Sequence, residues 1–295
     1  MSRFFFCLLA SLAPMMVVAQ PAAQSPYFAT ADLLVAYQGN TDLDTGGEFS
    51  SRRFSTSVAG HRGFGPRSSI GVELSLGGFE YNFTDSQGFG SDITVGSYGV
   101  SVPLRFGLAG GQALLIPNMS FTGEDGVSFE DGSSYGVIGA LSWKLADNLI
   151  IGPGFGVYST LADEWETFPF LVIDWDITER WNLSTSEGVG ATQGPGLSIS
   201  YGVSDALRLG VASRVEAIEF RLNDDGPGTD GIGKDQYIPV VATVNYEPSA
   251  NLRISAFAGA QFDGQLKLED ADGNTVSRSD YDSSPIIGAV FKIKF

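Results

Sequence analysis

From about residue 29 onward, apolar and polar residues alternate in stretches of about 8–16 residues, the two-residue period of a β-strand whose successive side chains point to opposite faces. Residues 252–268 show it most clearly. Leu252, Ile254, Ala256, Ala258, Ala260, Phe262, Leu266 and Leu268 fall on one face; Arg253, Ser255, Gln261, Asp263, Gln265 and Lys267 fall on the other, with Phe257 out of phase. At ~3.4 Å per residue such a strand reaches ~55 Å. The same alternation runs through 94–108, 133–145 and 207–215. Near Glu216 the phase breaks and Ile218, Phe220 and Leu222 take over, which predicts a bulge.

Two kinds of connection separate these stretches and take turns along the chain. Tight turns are expected at 63–67, 109–112, 146–148, 178–180, 204–206 and 248–251. Loops, most of them longer and rich in acid and glycine, are expected near 40–49, 82–93, 124–132, 161–166, 191–195, 223–235 and 269–280. Six turns and seven loops separate fourteen strands, with twelve as the rival count. A soluble β-sandwich also alternates, but its second face would not carry this much Gly, Ser and charge while the first stays apolar along whole strands. Lipid outside and polar groups inside satisfy both faces, and closure removes the unpaired edges that lipid penalises. The predicted fold is therefore all-β: a transmembrane, antiparallel, up-and-down β-barrel over 29–295, after a short N-terminal extension at 20–28.

The first 19 residues read as a cleaved signal peptide: Arg3, an apolar run from Phe4 to Val18, and a short-residue site ending at Ala19. Cys7, the single cysteine, leaves with it, so disulfide scaffolds and cysteine-ligated metals are not expected. Composition agrees with an all-β chain: 38 Gly, 21 Phe and 10 Tyr in 295 residues. The formal net charge of −17, one unit more negative without Arg3, disfavours nucleic acid as a partner. Acidic surface loops are compatible with an outer membrane, where they can share divalent cations with lipopolysaccharide.

The last residues resemble a known signal. Ile287, Ala289, Phe291, Ile293 and Phe295 alternate up to the terminal aromatic, similar to the C-terminal signature by which the barrel assembly machinery recognises bacterial outer-membrane proteins. The stretch from about Phe168 to Phe295 restarts its strands at Trp181-Asn182-Leu183, Leu207-Arg208-Leu209 and Leu252-Arg253-Ile254. It resembles a group of uncharacterised outer-membrane barrel proteins, and the likeness is looser over the first half. That resemblance implies location and architecture and transfers no functional residue.

Candidate chemistry is sparse. His61, the single histidine, should lie near the periplasmic rim on the face of Arg53, and no serine–histidine–acid spacing accompanies it. The loop Glu269–Asn274 begins like a calcium loop, yet Thr275 and Tyr281 stand where a calcium loop needs glycine and a closing acid. Trp143, Trp165, Trp175, Trp181, Tyr237 and Tyr246 are expected in membrane-interface girdles. Catalytic, cofactor and metal sites are not expected. Parity places Arg53, Glu73, Arg105, Lys144, Asp174, Arg208, Arg214, Arg253, Asp263 and Lys267 inside the barrel. These observations predict a passive channel for small solutes with an open path. The alternative is a non-conducting surface barrel whose acidic loops bind a partner, divalent cations or lipopolysaccharide.

Overall fold

A computed structural model describes residues 26–86, 88–90, 92–185, 196–225 and 227–295; the leader assigned to residues 1–19 lies outside them. The described residues contain seventeen β-segments: β1 (Tyr27–Asp42), β2 (Glu48–Gly65), β3 (Ser68–Thr84), β4 (Ile93–Ser101), β5 (Leu104–Leu108), β6 (Gly111–Glu124), β7 (Ser133–Ala146), β8 (Leu149–Ser159), β9 (Trp165–Asp176), β10 (Trp181–Ser184), β11 (Leu197–Gly202), β12 (Leu207–Ser213), β13 (Glu216–Arg221), β14 (Ile232–Ser249), β15 (Leu252–Glu269), β16 (Thr275–Tyr281) and β17 (Ser284–Lys294). Three pairs, β4/β5, β12/β13 and β16/β17, are interrupted single strands, which leaves fourteen. Each strand pairs antiparallel with its sequence neighbours, and β17 closes on β1 from Thr30↔Lys294 to Gln38↔Ile286. Strands begin slightly earlier than the alternation suggested: β1 is already paired at Tyr27, β14 starts at Ile232, and β16 occupies the second half of the expected loop at 269–280.

Below the level of Arg53 the wall is built for lipid. Phe54, Val58, Val72, Leu74, Leu76, Val100, Val211 and Val244 point outward and are exposed, while Ser57, Glu73, Ser101, Thr243 and Ser255 point inward. On β2 the outer face from Phe54 through Thr56, Val58 and Gly60 to Phe64 spans ~25 Å at ~3.3 Å per residue and a tilt of ~40°, the height of a membrane belt, with Arg62 over the rings of Tyr27 and Phe64 at its lower border. Exposed aromatics mark both borders: Tyr98, Tyr135 and Trp165 toward the loops, Tyr27, Trp175, Trp181 and Tyr246 toward the tight turns.

Above that level the two faces exchange character. Glu48, Arg52, Glu80, Thr94, Arg278 and Asp280 now point outward, while Phe49, Phe79, Tyr81, Ile93, Phe220, Leu266 and Leu268 form a buried core. This is the pattern of a water-soluble barrel set on top of a membrane barrel. Ile218 and Phe220 belong to it without any change of phase, because Ala212, Arg214, Glu216, Ile218 and Phe220 all face inward. The bulge expected near Glu216 is therefore corrected. The apolar residues there stay on the inner face, because the interior has become a core.

A change in strand number explains why the core can exist. β7–β11 stop at a lower level, where Phe121 pairs with Ser133 and Leu197 with Ser213. Higher up, β13 meets β6 directly at Arg221↔Gly123. The contact is parallel, as it must be when an odd number of antiparallel strands is left out. Leu43↔Tyr281 joins the end of β1 to β16 on the other side. Among the described residues the upper ring thus contains nine strands, near the size at which side chains fill a barrel.

Candidate functional site: the capped lumen

The fourteen-stranded section has an inner wall of small residues interrupted by two apolar patches. Gly152, Gly154 and Gly156 form a track on β8, and the rings of Phe170 and Phe168 lie where a Cβ on Gly154 or Gly156 would be, at 2.3 and 2.1 Å. Only glycine lets those rings lie flat on the wall. One patch joins Leu114, Ile116, Ile138, Ala140 and Val172; the other joins Leu34, Ala212, Val241, Phe257 and Ile286.

The cap above is centred on a buried charge pair. Arg53 of β2 donates to Asp235 of β14 at 2.6 Å and to the Tyr237 hydroxyl at 2.6 Å. Asp235 also accepts from the hydroxyls of Tyr281 at 2.9 Å and Tyr81 at 3.2 Å. The Arg53 guanidinium lies 5.1–5.9 Å from the ring centres of Tyr237, Phe79 and Tyr81. Four strands contribute, so the network crosses the lumen rather than lining it. Tyr81 stacks on Phe220 across the barrel at 5.5 Å, and Phe49 meets Tyr281 edge-on at 4.9 Å. Phe89, carried by the loop after β3, stacks on Phe83 at 5.4 Å and closes the top. A second buried pair, Arg214 with Glu216, sits at the same level. Beside β13 a cavity of about 30 Å³, room for one or two waters, is lined by Ser120, Ser134, Tyr158 and Glu219.

Of the residues assigned to the lumen from sequence, Arg53, Glu73 and Arg214 are buried and face inward. Arg105, Asp174 and Arg208 face inward in the lower section, where Asp174 accepts from Asn182 at 2.9 Å and Arg208 donates to Ser200 at 3.3 Å. Lys144 lies at the rim, exposed and paired with Asp147 at 2.9 Å; Arg253 bonds Glu247 at 2.6 Å beside the turn 250–251. Asp263 and Lys267 do not enter the lumen. Asp263 sits in a bulge with φ of 54°, opposite the register shift between Gln236 and Ile238, and the extra residue flips everything after it. Leu266 and Leu268 turn into the core, and Lys267 lies on the outer face beside Glu269.

The structure also repositions other sequence candidates. Tyr237 is 1 % exposed and belongs to the cap, not to a girdle. His61 stacks on Phe28 at 4.5 Å. Asp270 is engaged by its own loop, accepting from the backbone N–H groups of Asn274 and Asp272 at 2.8 and 3.0 Å; these bonds, with Asn274 foremost, hold its carboxyl below the ordinary value. Among the described residues no group of three or more His, Cys, Asp or Glu side chains is placed to hold a metal. Phe291 and Ile293 face outward along the closing seam opposite Leu33 and Ala31, and Phe295 exchanges two backbone bonds with Ala29. Asp235, Glu216, Tyr81 and Tyr281 carried no sequence signal for a place in the cap.

No family model and no curated relative matches the chain. Solved structures do resemble it. The COG4313 outer membrane channel from Pseudomonas putida F1 shares 9 % identity over 96 % of this chain and 99 % of its own, with a TM-score of 0.49. A Pseudomonas aeruginosa FadL homologue shares 14 % over 97 % and 94 %, also with a TM-score of 0.49. The translocator domain of the autotransporter NalP from Neisseria meningitidis shares 12 % over 92 % and 89 %, with a TM-score of 0.38. The fold itself rests on the closed strand pairing described above.

Proposed function

We propose that the protein is an outer-membrane channel for small solutes, with a fourteen-stranded section on the tight-turn side and a packed cap that must loosen for passage. The observation that carries this reading is the drop from fourteen strands to nine. Nine strands are closed by their own aromatics, while the fourteen-stranded section below has an inner wall of small residues and two apolar patches in place of that aromatic core. The apolar belt and the alternation of short turns with longer loops support an outer-membrane setting, with the loops and cap outside the cell. In that setting Phe291, Ile293 and Phe295 serve as the strand read by the barrel assembly machinery. Arg105, Arg208, Glu73 and Asp174 supply both signs of charge to the wall of the fourteen-stranded section and would tune selectivity.

Planar-bilayer recording on the purified, folded chain tests the reading. Discrete current steps are expected, more frequent in a cap-loosened Asp235→Leu variant. Silence in both proteins would overturn it. The complete burial of Arg53 and Asp235 favours a second reading, a non-conducting surface barrel that presents the acidic outer face of the cap to divalent cations or lipopolysaccharide. Silence together with saturable calcium or lipopolysaccharide binding would establish that one instead.

A further inference from the structure

Among the described residues, the five strands that stop short leave one edge of β13 almost without a partner. The opposite edge pairs with β14 along its whole length, from Glu216↔Tyr237 to Arg221↔Ile232. The free edge meets another strand only at the Arg221↔Gly123 bridge. Below that bridge lies the cavity of about 30 Å³. Its lining joins three regions: Phe79 and Ile218 of the cap core, Ser120 and Thr122 near the top of β6, and Ser134, Tyr158 and Ser159 at the upper ends of β7 and β8. The cavity thus borders both the rim of the short strands and the core of the cap. It lies beside the charged network, since Phe79 is also 5.5 Å from the Arg53 guanidinium.

Leu161 and Glu219 close this seam. Leu161, carried by the loop between β8 and β9, lines the cavity and is 7 % exposed. Its N–H donates to Glu219 at 3.4 Å, and Lys234 reaches the other carboxylate oxygen at 3.2 Å. Across the end of β7, Arg221 faces Asp131 at 3.8 Å. Above the bridge the Asn223 N–H donates to Glu124 at 3.0 Å, so the seam opens over the ends of β7 and β8 rather than upward. Its ties are long and partly exposed, whereas parting the cap at its centre would strand the buried Arg53–Asp235 pair. The lining also selects a class of solute. Ser120 and Ser134 bond each other at 2.8 Å, Thr122 meets Ser97 at 3.4 Å, and Ser159 accepts the Tyr135 N–H at 2.9 Å. A hydroxyl offers one donor and two acceptor sites, so each of these keeps capacity for a visitor. Charge at the seam is balanced: Glu219 and Glu269 share Lys234, and Lys267 pairs with Glu269.

We propose that solutes pass the cap at its side, along the free edge of β13 and over the ends of β7 and β8, with Leu161 and Glu219 as the gate. The hydroxyl lining and balanced charge fit small uncharged polyols. The proposal rests on the channel reading and says which part of the cap loosens.

Bilayer recording and vesicle swelling on the folded full chain test it. Ser134→Trp fills the seam and should lower the current about tenfold, with circular dichroism unchanged. Leu161→Ala removes the plug and should raise the current about threefold or more. Should the tryptophan prevent folding, Ser134→Cys on a Cys7→Ser background carries the same comparison. A water-soluble methanethiosulfonate, added after folding, should attach there and block the current. Vesicles should swell at least about threefold faster in xylitol than in potassium xylonate of equal osmolarity. A wild-type current that neither the tryptophan nor the modified cysteine reduces would put the path elsewhere and overturn the seam alone. Equal or faster entry of xylonate would overturn the solute class. Silence from wild type and from Leu161→Ala would overturn the channel reading, and the seam with it.

Discussion

Removing Asp235 should unsettle the cap far more than removing the whole ion pair. In Asp235→Leu the Arg53 guanidinium keeps Tyr237 but loses its carboxylate, and the hydroxyls of Tyr81 and Tyr281 lose their acceptor. Stacking among Tyr237, Phe79 and Tyr81 returns part of the loss, about 0.5–2 kcal/mol for a desolvated cation over a ring. A charge stranded in a buried site costs about 3–5 kcal/mol, so the single variant should lose about that much unfolding free energy. Arg53→Met/Asp235→Leu removes both charges and fills the space with apolar atoms. It should fall within about 1 kcal/mol of wild type, or exceed it. The two single effects would then be strongly non-additive, with a coupling of at least about 2 kcal/mol. The assay is reversible urea unfolding in thin-lipid vesicles, followed by tryptophan fluorescence and far-UV circular dichroism and compared at equal m. Because the pair is buried, salt should change the result little. An Asp235→Leu loss below about 1 kcal/mol, or losses that simply add, would refute this account of the cap.

Two further outcomes follow from the same geometry. Phe89 is 1 % exposed on a loop outside the strands, so Phe89→Ala should cost about 3 kcal/mol and loosen the cap, with fluorescence-monitored unfolding as the check; a cost typical of exposed loop residues would show that the loop does not close it. Asp270 is half-buried and held by Asn274, so its carboxyl should titrate below the ordinary value in a chemical-shift experiment, and Asn274→Ala should raise the midpoint. The loop's preference for the folded geometry is then present above the ordinary carboxylate value and lost as pH falls through the lowered midpoint. An ordinary midpoint in wild type would show that the loop is open.

Much of the architecture is written in the chain. Strand number, the turns and loops, and the outward apolar face follow from a two-residue period because every strand crosses the same slab of lipid, and lipid judges each residue only by its own face. That is why Ala256, Ala258 and Phe262, with Val100 and Val211 in the stretches 94–108 and 207–215, follow from the alternation and are exposed. Parity fails where a single residue is inserted: Asp263 takes a left-handed conformation with φ of 54° and reverses the facing of Leu266, Lys267 and Leu268. Nothing in the local alternation marks that residue, since apolar and polar positions continue with the same period on either side.

The cap needed the tertiary structure for a different reason. Its strands obey the same period, but lipid outside gives way to water, so the meaning of the two faces inverts without any change in spacing. Ile218, Phe220 and Tyr237 look like lipid- or interface-facing residues until five strands are seen to stop short and the remaining nine to close around them. The pairs that span the lumen, Arg53 with Asp235 and Tyr81 with Phe220, join positions more than 130 residues apart. Sequence alone determined that a barrel forms and which face meets the membrane, and it narrowed the strand number to fourteen or twelve. Whether its interior is open or filled depends on how many strands share a given level, and that is a property of the closed sheet rather than of any strand in it.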